Sequence, residues 1–241
     1  MDNVSVIIKT FERPHELNRL ITSIKKFYPN IPILVADDSK QPGMRNDVEY
    51  YALPFDSGVS YGRNYLVDRV KTKYFITLDD DWEFTEETKL EEFVKLFETE
   101  DVDILAGSWV VGGQICVLYH IEGTTLTLTS VPQEERDSRF QPCDFTHQFF
   151  IAETERFKEF GGWDNELKTR GEHTELFLRA KKEGMKAAVT ENVKIIHEPS
   201  CRSKNTDANY KKFRKRDFLG IAMKKHGITK YINFTGRERK F

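Results

Sequence analysis

The run VSVIIKT at residues 4–10 is apolar, β-branched and short, which suits a buried strand better than a helix. Arg13-Pro14 follow, and Leu17, Leu20, Ile21, Ile24 and Phe27 then recur at helical spacing until Pro29 ends the pattern. IPILVADDS (31–39) supplies a second apolar run. Strand, helix and strand within about 35 residues form a βαβ unit, whose two strands lie parallel. The chain is therefore expected to be α/β, with a mixed, mostly parallel central sheet flanked by helices.

The rest of the chain extends this reading. A short strand is expected near Tyr50–Leu53, then a loop with Gly58, a helix over Asn64–Val70 and a strand over Tyr74–Leu78. Leu90, Phe93, Val94 and Phe97 mark another helix. From Ile104 to Leu128, β-branched stretches broken by Gly112-Gly113 and Gly123 read as hairpins, and 130–145 reads as a polar, mobile loop. FFIAETERFKEFGG (149–162) reads as a strand and a short helix, and HTELFLRAKKEG (173–184) as a helix stopped by Gly184. Two short strands ending in VKIIHEPS (193–200) and a basic helix near Tyr210–His226 close the chain. Without repeats or a Pro/Gly/Ser linker, residues 1–241 are expected to form one domain. Its parts would be 1–100, 101–200 and a basic helical tail at 201–241.

With 39% apolar and 32% charged residues, the composition is that of a soluble globular protein. MDNVSVIIKT lacks the basic start and long apolar run of a signal peptide, and no stretch approaches a membrane span. Cys116, Cys143 and Cys201 are odd in number and widely spaced, which points to a reducing compartment and offers no zinc site. A cytoplasmic location is expected. The net charge of −2 hides an asymmetry: Arg202 to Phe241 hold thirteen Lys and Arg against three Asp and Glu. Such a tail can meet an anionic membrane, a nucleic acid or a phosphorylated ligand, or form a solvated helix face. Nucleic-acid binding would rest on the tail alone, without an interleaved aromatic platform, and is not expected.

The chemistry gathers where the apolar runs end. YFITLDDDWEF (74–84) sets Asp79, Asp80 and Asp81 directly after a buried strand, and Asp37-Asp38 follow the second strand. Adjacent carboxylates repel one another and cannot be buried without compensation, so an external cation is expected. Hard oxygen ligands joined by His197, in His197-Glu198, suit Mn²⁺ or Mg²⁺. In open α/β sheets ligands sit beyond the carboxyl ends of the strands. GVSYGRN (58–64) allows close backbone approach, with Arg63 in reach of a phosphate. In GGWDNELKTRGEHTELFLR (161–179), Glu172 and Glu175 flank His173 at a helix start, where a carboxylate can take a proton. Trp163 reads as either a sugar platform or a core residue.

These motifs, VSVIIKTFERP, LVADDS, GVSYGRN and YFITLDDDWEF with its DxD, stand in the order found in family 2-type nucleotide-sugar glycosyltransferases, which residues 4–200 resemble. FFIAETE (149–155), the HxE at His173–Glu175 and the late His197 are more loosely similar to the animal β1,4-N-acetylgalactosaminyltransferases. The resemblance implies a GT-A fold with a small β-hairpin acceptor region, and metal-dependent, inverting transfer from a UDP-sugar to a hydroxyl of a glycan, glycolipid or glycoprotein. It implies nucleotide-sugar contacts from Thr10, Arg13, Asp37, Asp38, Arg63, Asp79 and Asp80. Mn²⁺ or Mg²⁺ would be held by Asp79, Asp81 and His197. Relatives carry Glu-Asp where this chain has Glu172-His173, so Glu172 is the first choice of base, with His173 and Glu175 as alternatives. Trp109, Trp163 and His147, with Tyr119, are the expected acceptor contacts. Two other readings are a sugar-1-phosphate nucleotidyltransferase, which would usually show a glycine-rich first loop, and a non-catalytic nucleotide-sugar-binding domain.

Overall fold

The computed structural model describes residues 1–113, 115–197 and 208–241; Glu198 and Cys201 lie outside the described residues. Strands β1 (Val4–Thr10), β2 (Ile33–Asp37), β3 (Glu49–Ala52) and β4 (Tyr74–Asp79) pair in parallel, in the spatial order β3-β2-β1-β4. Beyond β4 the sheet continues through β10 (Phe150–Glu153), β6 (Ile104–Trp109), β11 (Ala187–His197) and β5 (Trp82–Glu83). β10 runs antiparallel between β4 and β6, which makes the sheet mixed, as expected. β1 is buried along its whole length, which explains why it reads as a continuous apolar run rather than an alternating one.

Helices cover both faces. α1 (Pro14–Phe27) starts with Pro14 in its first turn and buries Leu17, Leu20, Ile21 and Ile24 against Val6, Ile8 and Val35. Each such side chain contributes roughly 1.5–3 kcal/mol. α3 (Leu90–Thr99) shares that face through Phe93 and Leu96. On the other face, α2 (Val59–Val67), α4 (Thr154–Glu159) and α5 (Glu172–Lys182) pack over Ile7, Leu34, Phe75 and Phe150. Helix α2 begins at Val59, not Asn64, so GVSYGRN is its cap and first turns rather than a loop.

Several expectations change here. Ile104–Trp109 is a sheet strand, parallel to β11; the hairpin is β7 (Val117–Glu122) with β8 (Thr125–Ser130). The stretch expected as a mobile loop carries a 3₁₀ turn at Gln133–Glu135 and β9 (Gln141–Cys143), which pairs with β11. Residues 187–197 form one strand with a register shift between Val189 and Lys194 rather than two strands. Cys116 and Cys143, distant in sequence, are buried free thiols that hydrogen-bond each other. No helix among the described residues is long and apolar enough to cross a membrane.

The basic tail is built into the fold. It forms α6 (Ala208–Arg214), α7 (Leu219–Lys225), β12 (Lys230–Ile232) and β13 (Glu238–Lys240). β12 pairs in parallel with β8, so a second sheet runs β13-β12-β8-β7. Several of its charges are paired within the fold: Arg216 forks onto Asp56, Lys225 meets Asp164 and Glu166, and Lys230 meets Glu238. His226, following α7, reaches Glu175 Oε1 at 3.3 Å, and Arg179 donates to the same oxygen at 2.9 Å. Burial works against the charge on Glu175, but these two partners outweigh it and hold its carboxyl below the usual 4.5.

Two predictions follow from this packing. A Cβ added at Gly107 would lie 2.5 Å from Phe149 Cε1 and 2.6 Å from the Val193 carbonyl oxygen. Gly107→Ala is therefore expected to destabilise by about 1–3 kcal/mol, read as a lower melting temperature; an unchanged melt would mean that β6 and β11 can separate freely. A carboxyl whose folded pKa lies below its unfolded value stabilises the fold above about pH 4.5, and that contribution is lost as pH falls through the folded pKa. Glu175→Gln should accordingly melt below wild type near neutral pH, with the gap narrowing in acid. A gap independent of pH would show that shape, not charge, joins α7 to α5.

Candidate active site

The parallel register brings the carboxylates to one edge. Thr10 pairs with Asp37 and Lys9 with Asp79, so β1, β2 and β4 all finish there. This is where an open α/β sheet admits a ligand. Asp38 lines the resulting cleft, is 1% exposed, accepts from the Gly58 N–H at 2.8 Å and pairs with Lys9.

Two arginines of the chain already stand among the three aspartates. Arg13 forks onto both oxygens of Asp80 through Nε (3.1 Å) and Nη2, and its Nη1 donates to Asp81 Oδ2 at 3.0 Å. Arg63 Nη2 holds Asp79 Oδ1 at 2.5 Å. Burial pushes the Asp80 carboxyl up to about 7 against the pull of Arg13, with Asp81 adding to the rise. Burial alone would lower the Arg13 guanidinium, but Asp80, Asp81 and Tyr210 together raise it. The chain thus supplies part of the compensating charge itself, through Arg13 and Arg63.

Across the cleft, Glu172 opens α5. Gly171 before it has φ +138°, and a Cβ there would meet the Leu219 backbone nitrogen at 2.8 Å, so a glycine is required to aim the helix start. Glu172 lines the cleft, is 3% exposed and has its Oε2 without a partner among the described residues. Its Oε1 lies 3.3 Å from His173 Nε2, which is also 3.4 Å from Arg63 Nη1. A third wall is aromatic: Trp109 stacks with His197 (5.1 Å, 27°) and with His147 (5.4 Å, 16°), and Trp82 stands edge-on to both histidines. Burial lowers His147 to about 3, so its ring is neutral near pH 7.

Asp81 Oδ2 and His197 Nε2 are 3.8 Å apart. Among the described residues no three His, Cys, Asp or Glu groups form a complete metal cage. Mg²⁺-type sites usually use one or two protein ligands and complete the shell with substrate phosphates and water. Asp81 and His197 fit that mode, with Asp81 Oδ2 also accepting from Arg13 Nη1, while Asp79 is held by Arg63.

Not every expected residue reaches the cleft. Asp37 accepts from Ser39 N–H (2.9 Å), Gly43 N–H (3.2 Å) and the Tyr50 hydroxyl, and shapes the 39–50 loop instead. Thr10 lies behind Asp80, donating to its Oδ2 at 2.7 Å. Glu175 is turned away to Arg179 and His226. Trp163 is 1% exposed, packed 4.8 Å from Phe157, with the Arg63 guanidinium 5.4 Å above its ring; it supports Arg63 and cannot be an acceptor platform. Tyr119 is likewise buried beneath the hairpin. Sequence reading missed Lys9, Gln148 and the α6 wall, all of which line the cleft. Tyr210 stacks on Arg13 at 4.4 Å, and Phe213 packs on Phe11 and Phe55 at 5.7 and 5.5 Å. The aromatics interleaved with the tail's basic residues were the available signal.

Mouse Beta-1,4 N-acetylgalactosaminyltransferase 2 is 40% identical over 184 residues, covering 73% of this chain and 35% of that protein. Human Beta-1,4 N-acetylgalactosaminyltransferase 1 is 34% identical over 189 residues, with the same coverage. The chain thus spans about a third of the length of the curated relatives it matches. The crystal structure of GalNAc-T7 with UDP, GalNAc and Mn²⁺ superposes with a TM-score of 0.64 at 16% identity, over 81% of this chain and 43% of that one. That of S. aureus TarS gives 0.59 at 18% identity, over 82% and 37%. These likenesses identify the fold as GT-A. Residues 5–156, more than half of the chain, match Glycosyl transferase family 2, and the chain belongs to that family.

Proposed function

We propose that this chain moves a sugar from a UDP-linked donor to a hydroxyl of a glycan, glycolipid or glycoprotein, inverting the anomeric carbon with the help of Mn²⁺ or Mg²⁺. One observation carries the reading: Asp38, Arg63, the three aspartates, His197 and an unpartnered Glu172 oxygen all line a single cleft. The names of the relatives make an N-acetylhexosamine the first donor to test.

In this reading Asp38 and the β2 edge hold the uracil, and Arg63 and Lys9 bring positive charge to the diphosphate. A divalent cation held by Asp81 and His197 would add charge neutralisation at the departing diphosphate. As the C1–O bond to UDP breaks, Glu172 Oε2 accepts the proton of the acceptor hydroxyl, whose oxygen forms the new bond from the opposite face. His173, touching both Glu172 and Arg63, orients the base. Peripheral membrane contact of the tail remains part of the proposal, carried by the exposed Lys211, Lys212 and Lys215.

The reading is tested by following UDP release from a panel of UDP-sugars with Mn²⁺, with and without glycan acceptors. Asp81→Ala is expected to lose the metal-dependent thermal shift given by UDP. Glu172→Gln should keep that shift and lose about 10²–10⁴-fold in rate; full rate in Glu172→Gln would move the base to His173. No turnover on any donor, together with no thermal shift from UDP and Mn²⁺, would overturn the reading.

A further inference from the structure

Two thiols far apart in the sequence meet beside the cleft and take no part in the transfer chemistry. Cys116 leads into β7, and Cys143 ends β9. Their backbones are held by different ladders. Cys143 pairs with Ala187 of β11 in the main sheet. Cys116 is placed by its neighbour Val117, which exchanges hydrogen bonds with Phe145 at 3.1 and 3.0 Å, and by its own carbonyl, which accepts from the Val131 N–H at 3.4 Å. Between these supports Cys116 Sγ lies 3.7 Å from the Pro142 carbonyl oxygen, one residue from Cys143, and the two thiols hydrogen-bond each other. Both are buried, at 1% and 6% exposure.

The pair is chemically unequal. The hydrogen bond with Cys143 lowers the Cys116 thiol against the effect of burial, and the Arg136 charge adds to the lowering. The same hydrogen bond, together with burial, raises Cys143. The thiolate is the nucleophile in disulfide exchange, so Cys116 attacks first and Cys143 resolves. We propose that Cys116 and Cys143 form a modification site that acquires an intramolecular disulfide from a small-molecule disulfide oxidant as the chain folds. The Cys116 thiolate attacks one sulfur of the oxidant, whose S–S bond breaks and releases a thiolate that takes up the proton Cys116 has lost. Cys143 Sγ then attacks Cys116 Sγ, and the second oxidant sulfur leaves with the Cys143 proton. Two electrons pass from the cysteines to the oxidant, which is reduced to two thiols. Burial confines the exchange to folding, because a covered thiol is inert. The bond encloses residues 117–142, which hold the β7–β8 hairpin, and ties the root of that hairpin to the main sheet. Ile115 precedes Cys116 and Phe145 follows Cys143 by two residues, and both line the cleft, so the same bond fixes its apolar side. Nothing in this chemistry depends on the sugar-transferring reading of the cleft.

The test uses the full chain with Cys201→Ser, which leaves only these two thiols. It is unfolded and refolded with oxidised or with reduced glutathione, then followed by thiol titration, intact mass, non-reducing peptide mapping and thermal melting. Oxidised refolding is expected to consume both thiols, lower the mass by two hydrogens and join one peptide pair through Cys116 and Cys143. It should also raise the melting temperature by about 5–10 °C over the reduced form. Cys116→Ser and Cys143→Ser, each added to Cys201→Ser, should show no such rise. Free thiols after oxidised refolding, glutathione left on either cysteine, or a dimer linked through them would overturn the proposal. So would a joined pair that melts at or below the reduced form, or a rise that persists in either serine variant. Where a serine variant does not fold, the thiol count and the mapped bond in the parent chain decide the matter.

Discussion

Three neighbouring carboxylates at the end of a buried strand repel one another, and the cleft is organised around how that repulsion is answered. Arg13 forks onto Asp80 and touches Asp81, while Arg63 holds Asp79. Each arginine is anchored in turn: Arg13 between Thr10's partner Asp80 and the ring of Tyr210, and Arg63 above Trp163 and beside His173. Guanidinium suits this task because its planar fork matches a carboxylate and it stays charged when buried. With Arg13 and Arg63 set among the three aspartates, the chain answers part of that repulsion itself.

The sheet makes this arrangement possible. Parallel pairing of β1 with β2 and β4 delivers every carboxylate to the same edge, and Gly107 lets β6 approach Phe149 closely enough to set the Trp109–His147–His197 stack. In that stack Trp82 stands edge-on to both histidines, so four rings together form one wall of the cleft.

Much of this was legible in the sequence where a residue's role depends on its own element. The βαβ unit, the aspartate-bearing strand ends and the helix start at Glu172 follow from local period and position. Roles that depend on distant partners were not legible. Trp163 and Glu175 look functional beside glycines and His173, but the burial of one and the ion pairs of the other come from Phe157, Arg179 and His226. Asp37 looks equivalent to Asp38 because strand residues alternate faces, and only the fold decides which of the two sides meets the cleft. Arg13 as a partner for the aspartates needed a contact across 67 residues of chain.

The placement of α6 has a consequence for synthesis. Tyr210, Phe213 and Arg216 close a cleft whose floor is laid by residues 9–81. A growing chain makes α6 long after the aspartates, so the cleft closes only once α6 has docked, and a nascent chain that has not reached residue 208 has an open acidic edge there.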